Sequence, residues 1–174
     1  IFSVGYRTLV AAITKNPAPV MKLLIDTEMR MMKGFDVQNV FLQNIVTDLV
    51  IGLGMEDVLA EFSHYTKKAY NADAGFITLN QPMTQSKLIS VGLVNPIICS
   101  SINSLGFRMN PSKELVEQSI KERKSTNVAM SVFASGAISP DVALEYVNNL
   151  EGVDSILFGA SSRRSIESTF NLLK

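Results

Sequence analysis

Two strand-sized apolar runs follow one another between Asn127 and Phe170, each closed by a glycine turn and followed by a helical pattern: NVAMSVFASGAISPDVALEYVNNLEGVDSILFGASSRRSIESTF. Val128–Phe133 is β-branched and apolar and stops at Ser135-Gly136. Ser139-Pro140 then opens a helix, with Ser139 as N-cap and Pro140 at the first helical position, where its missing N–H costs nothing. Val153–Phe158 is a second run of the buried type, ended by Gly159-Ala160-Ser161-Ser162, and a last helix follows. Strand, glycine turn, helix, twice over, predicts a parallel α/β protein with its ligand site at the C-terminal edge of the strands.

The chain upstream repeats the alternation. Val20, Leu23, Leu24, Thr27 and Met31 form a helical stripe that ends at Lys33-Gly34, and Val37–Leu42 reads as a strand. Ile45–Gly54 reads as a loop or continuation. Met55–Tyr70 is amphipathic, with Met55, Val58, Leu59, Phe62 and Ala69 inward. Gly75–Asn80 and Pro96–Asn103 read as strands around a helix at Pro82–Val91. Asn110-Pro111 then caps a helix with Leu115, Val116 and Ile120 inward. Further back, Ile1–Val4 suits a short strand, Tyr6, Leu9, Val10 and Ile13 share a helix face, and Asn16-Pro17 caps the next helix.

Five βα units in 174 residues make one α/β domain, residues 1–174, in one of two forms. One is an open five-stranded doubly wound sheet. The other is the C-terminal part of a TIM-type (β/α) barrel, which in full takes about 250 residues. The first residue is Ile, inside a strand-like run, which makes a chain lacking its beginning the expectation and favours the barrel. A partial barrel leaves open strand edges, so missing residues or another chain are expected to cover them.

Composition removes several classes of function. Hydrophobic residues are 47% and charged residues 18%, and Lys plus Arg equals Asp plus Glu at 16 each. That balance leaves no electrostatic footprint for nucleic acid or an anionic membrane. The apolar runs are strand-sized, and no signal peptide is recognisable. A single cysteine excludes an internal disulfide and fits a cytoplasmic setting, and one His with one Cys cannot build a zinc site.

The segment from Val128 to Leu173, above all AMSVFASGAISPDVALEYV and GVDSILFGASSRRSIESTF, resembles the end of an aldo-keto reductase barrel. MRMMKGFDVQNVFLQN is similar to that family's helix and fourth strand, GFIT to its fifth strand and PIICSSIN to its sixth. The resemblance implies NADP-dependent oxidoreduction of a small carbonyl or alcohol compound. It places the cofactor on Ser135, Gly136, Gly159, Ser161, Ser162, Arg163 and Arg164. The family's catalytic histidine follows the fourth strand, where this chain has Gln43-Asn44, and Thr169 stands where the last helix carries an Asn. No catalytic residue carries over. A barrel-like binding or scaffold protein and a phosphate-binding lyase or isomerase barrel are the competing readings.

Strand ends and the loops after them supply polar groups for a small-molecule ligand: Asn44, Thr78, Asn80, Ser100, Ser101, Asn103 and Ser135. Arg108 is either a cation for a carboxylate or phosphate or a solvent-exposed side chain, and Arg163 and Arg164 are either an anion site or two solvated arginines. Asn44, Asn80, Asn103 and Arg108 are the candidate substrate contacts. Each of the uncharged groups could equally serve loop backbone. Asp48 is the one carboxylate near a strand end. His64 sits about 200° round its helix from Phe62 and is expected to face solvent. Cys99 is expected to be a small buried residue, and the eight Met residues are expected to pack the core.

Overall fold

The structure, a computed structural model, describes residues 17–160 and 162–172. Helix α1 (Ala18–Met31) leads to β1 (Asn39–Leu42), and α2 (Asn44–Gly52) and α3 (Asp57–Tyr70) lead to β2 (Asp73–Thr78). Helix α4 (Gln81–Ser90) precedes β3 (Ile97–Ser101), and α5 (Lys113–Lys121) precedes β4 (Thr126–Met130). A 3₁₀ turn (Ala134–Gly136) and α6 (Pro140–Asn149) lead to β5 (Ser155–Ile156), and α7 (Arg163–Leu172) closes the described chain. The expected strand Ile1–Val4, the helix face Tyr6–Ile13 and the cap at Asn16 lie outside the described residues.

The fold is α/β, with one open sheet of five strands, all parallel, in the order β1-β2-β3-β4-β5. Each strand therefore lies beside its predecessor, and the order does not reverse. Register shows where the helices sit. Phe76 pairs with Ile98, Ser100 with Ala129, and these residues share one face through the two-residue alternation of a strand. Ala74, Phe76 and Ile98 pack with Met21 and Ile25 of α1, Val50 and Ile51 of α2, Leu59 and Phe62 of α3 and Leu88 of α4. Ala129 packs with Val116 and Ile120 of α5 and Val147 of α6. Helices α1 to α6 thus cover the same face. Phe62 meets Phe76 edge to face at 5.7 Å, and burying each such ring is worth about 1.5–3 kcal/mol.

The opposite face carries the apolar Phe41, Ile77, Ile97, Cys99, Val128 and Met130, with Asn39, Asp73, Thr126 and Ser155 towards the strand starts and Ser101 at the C-terminal end. Cys99 and Ser101 are buried, and Phe41 is 38% exposed.

Several boundaries and faces differ from the sequence reading. Ile45–Gly54, expected as a loop or continuation, is mostly helical, since α2 runs Asn44–Gly52. Phe133 is past the end of its strand, and the last strand keeps only Ser155–Ile156. In α1 the buried stripe is Ala18, Met21 and Ile25, whereas Leu24 and Met31 are 62% and 66% exposed. The helix turns this way because its polar side is engaged too: Lys22 pairs with Glu61, and Asp26 accepts from the hydroxyls of Tyr65 and Tyr70. Ala69 and Leu115 likewise face outward. The cap of α5 is Ser112, whose Oγ accepts from the Leu115 N–H at 3.3 Å, two residues beyond the expected Asn110.

Candidate functional site

In an all-parallel sheet every strand ends at the same edge, and the loops there hold ligands in α/β proteins. At that edge β4 runs out into Ser131-Val132-Phe133 and β5 into Leu157-Phe158-Gly159. A cavity of about 250 Å³ lies between them, closed by Phe107 and Arg108 from the loop after β3. Ser135, Gly136 and Gly159 line it as well. The structure thus brings together four of the residues singled out from sequence: Arg108, Ser135, Gly136 and Gly159.

The walls are built from unusual backbone. Arg108, Ser131, Ala134 and Ser135 have φ of 56°, 54°, 46° and 60°, and Gly136 has φ of 90°. Left-handed backbone at a non-glycine residue costs on the order of 1 kcal/mol or more, and such residues concentrate at ligand sites. Local bonds hold the turn in place. The Ala134 N–H donates to the Ser131 carbonyl at 2.9 Å, and the Gly136 N–H donates to the Phe133 carbonyl at 2.8 Å. Val132, Ala134 and Ile138 anchor it from below as buried side chains. Phe133 and Phe158 meet at 6.4 Å and give the cavity an aromatic wall.

Among the described residues Arg108, itself exposed, is the only charged one lining the cavity, and no carboxylate, histidine or thiol joins it there. The guanidinium carbon lies 5.2 Å from the centre of the Phe107 ring, a cation–π contact. Behind this pair stands Asn103, fully buried. Its Nδ2 donates to the Phe107 carbonyl at 2.9 Å and to the Ser131 carbonyl at 3.4 Å, and its Oδ1 accepts from the Phe107 N–H at 2.8 Å. Asn103 therefore ties the Arg108 loop to the end of β4, with its amide committed to backbone.

The other candidates lie outside the cavity. Asn80 caps α4, accepting from the Met83 N–H at 3.3 Å, and Asn44 opens α2. Ser162 caps α7 by accepting from the Ser165 N–H at 3.2 Å. Arg163, 91% exposed, points along that helix to Glu167 at 2.8 Å, and Arg164 is exposed. Ser161 lies outside the described residues. Asp48 serves the scaffold: it accepts from Thr78 Oγ1 at 2.5 Å and from the Leu79 N–H at 3.1 Å, holding α2 to the end of β2. His64 is exposed. Cys99 is buried, and burial pushes its thiol up to about 11, so it is no nucleophile near neutral pH.

The sequence reading did not find the aromatic wall. Phe107, Phe133 and Phe158 all follow strand ends, which is the available signal, but the apolar runs place Phe133 and Phe158 as the last residues of their strands. A larger groove of about 460 Å³ lies between α4 and α5, on the helix side and away from the strand ends. Among the described residues no group of three or more His, Cys, Asp or Glu comes together as a metal site, and no helix is long and apolar enough to cross a membrane.

No protein-family model, curated protein or solved structure matches the chain. The resemblance to aldo-keto reductases rests on the quoted residues alone.

Proposed function

We propose that this chain is the C-terminal part of a (β/α) barrel of aldo-keto reductase type and that it binds NADP at the edge formed by β4 and β5. One observation carries the reading: Ser135, Gly136 and Gly159, the residues that close the two strands of the motif, line one cavity together with the cation Arg108. Strands in sequential order and helices α1 to α6 on one face support the barrel form, since right-handed crossovers between successive parallel strands produce that arrangement. In the reaction of such an enzyme the bound cofactor supplies a hydride. The residues here would bind the nucleotide, orient it and shield it with Phe107, Phe133 and Phe158.

Gly159→Leu tests the site directly. A Cβ at Gly159 meets nothing within 4 Å and its φ lies outside the left-handed range, so the fold tolerates a bulky side chain at this residue of the cavity lining. Calorimetric titration with NADPH should show binding to the wild type and none to Gly159→Leu at unchanged thermal stability. Equal binding by both proteins removes the nucleotide from this cavity.

A second reading, a non-catalytic binding protein on the same scaffold, is favoured by Gln43-Asn44 at the end of β1. Neither side chain exchanges a proton near neutral pH, and the cavity lining adds no group that does. NADPH binding without NADPH oxidation across a panel of small aldehydes and ketones would select it.

A further inference from the structure

We infer that the anionic group of the ligand is held by Arg108, from the loop after β3, rather than by Arg163 and Arg164 at the start of α7. The inference rests on the reading of the cavity as a ligand site and specifies which cation serves it. Arg108 lines the cavity, and neither helix arginine does. No carboxylate pairs with Arg108 among the described residues, whereas Arg163 turns away along its own helix to Glu167. The first turn of α7 is already capped by Ser162, so its N-terminus has less to offer an anion.

The loop is also built to present this one side chain. Arg108 sits at φ 56°, a conformation that L residues adopt at a cost, directly after the residue whose N–H and carbonyl are both bound by the buried Asn103. The same Asn103 reaches the Ser131 carbonyl, so the backbone that carries Arg108 is tied to the start of the Ser131–Gly136 turn. The Phe107 ring, 5.2 Å from the guanidinium carbon, gives this exposed cation an aromatic neighbour in the cavity lining. A planar guanidinium fork beside an aromatic wall suits a phosphate or pyrophosphate carrying a flat ring, as in a nucleotide.

The test compares three proteins: wild type, Arg108→Ala and Arg163→Ala/Arg164→Ala, each checked by thermal melting. Each is titrated calorimetrically with NADPH and, separately, with inorganic pyrophosphate. Arg108→Lys serves as a second variant because it keeps the charge without the fork. Loss of about tenfold or more in affinity for both probes is expected in Arg108→Ala, as a charge-assisted contact predicts. An intermediate loss is expected in Arg108→Lys and less than a twofold change in the helix double variant. NADPH binding that survives Arg108→Ala but falls in the double variant overturns the inference and leaves the nucleotide reading standing. Pyrophosphate binding that depends on Arg108, without NADPH binding, upholds the inference and removes the nucleotide reading. No binding of either probe to the wild type overturns both.

Discussion

The ring of Phe41 in β1 lies against Gly75 in β2, so close that a Cβ on Gly75 would stand 2.4 Å from Cδ1 and Cε1 of the ring. The two are register partners, on the sheet face opposite the helices. The ring fills the space a side chain would otherwise occupy, and β1 is seated on its neighbour by an aromatic–glycine contact.

Gly75→Ala should therefore evict the ring. Because Phe41 is partly exposed it can swing outward, so the loss should be about 1–3 kcal/mol rather than a failure to fold. In a Phe41→Ala background the same substitution should cost much less, since its clash is gone. Chemical denaturation of the four proteins of this cycle gives the coupling. Additive losses would show that the contact is not what limits the position.

Gly152 makes a sharper case. It sits at φ 96°, and a Cβ there would stand 2.4 Å from the carbonyl oxygen of Ile120, a backbone atom that cannot swing aside. Two independent penalties combine, one conformational and one steric. Gly152→Ala should lose about 3 kcal/mol or more. A loss within 0.5 kcal/mol, the range of ordinary surface substitutions, would contradict the packing of α5 against this turn.

The α/β class, the parallel strands and the glycine turn after β4 were legible in the sequence because each follows from short-range chemistry: apolar runs, a proline at a helix start, glycine after a strand. Side-chain direction was less legible. The face of α1 depends on Asp26 reaching Tyr65 and Tyr70, residues about forty positions away, which no local periodicity encodes. Buried polar groups were invisible for the same reason. Asn127 and Gln81 are 1% exposed, yet they join Gln85 and Ser125 in a network between β4 and α4, with Asn127 Nδ2 donating to the Gly152 carbonyl at 3.0 Å. At the site, Arg108 and Asn103 were legible as residue types. Their difference in role was not: one lines the cavity and the other is sealed behind it, and only the path of the loop after β3 decides that.

Asp48 illustrates how a candidate site residue becomes a structural one. Both its oxygens are taken up by the end of β2, and Thr78 passes the connection on to Thr84 at 2.8 Å and to the Asn80 N–H at 2.9 Å. Asp48→Ala leaves the Leu79 N–H without its acceptor and should destabilise by about 1.5–3 kcal/mol, the range for bonds to a charged group. Asp48 does not line the cavity, so NADPH affinity should stay within twofold of wild type in the variant that remains folded. A selective loss of affinity at unchanged stability would return Asp48 to the ligand site.

Cys99 predicts a pH dependence of known sign. Its thiol is buried in β3, and burial holds the neutral form up to about 11, above the range of about 8.5 for a free thiol in the unfolded chain. Between those two values the unfolded chain releases a proton that the folded protein keeps, so stability falls as pH rises. Below the lower value both states hold the proton and no dependence remains. Other groups titrate in the same window, so the contribution is read as a difference: wild type against Cys99→Ala, melted at intervals from pH 7.5 to 10.5. The gap between the two melting temperatures should be constant below about pH 8 and should then shift steadily against the wild type. The thiol should also resist a thiol-specific reagent at pH 8 until the protein is unfolded. A gap that stays flat to pH 10.5, or fast labelling of the native protein, would place Cys99 in contact with water and contradict its position between Ile77 and Val128 in the sheet.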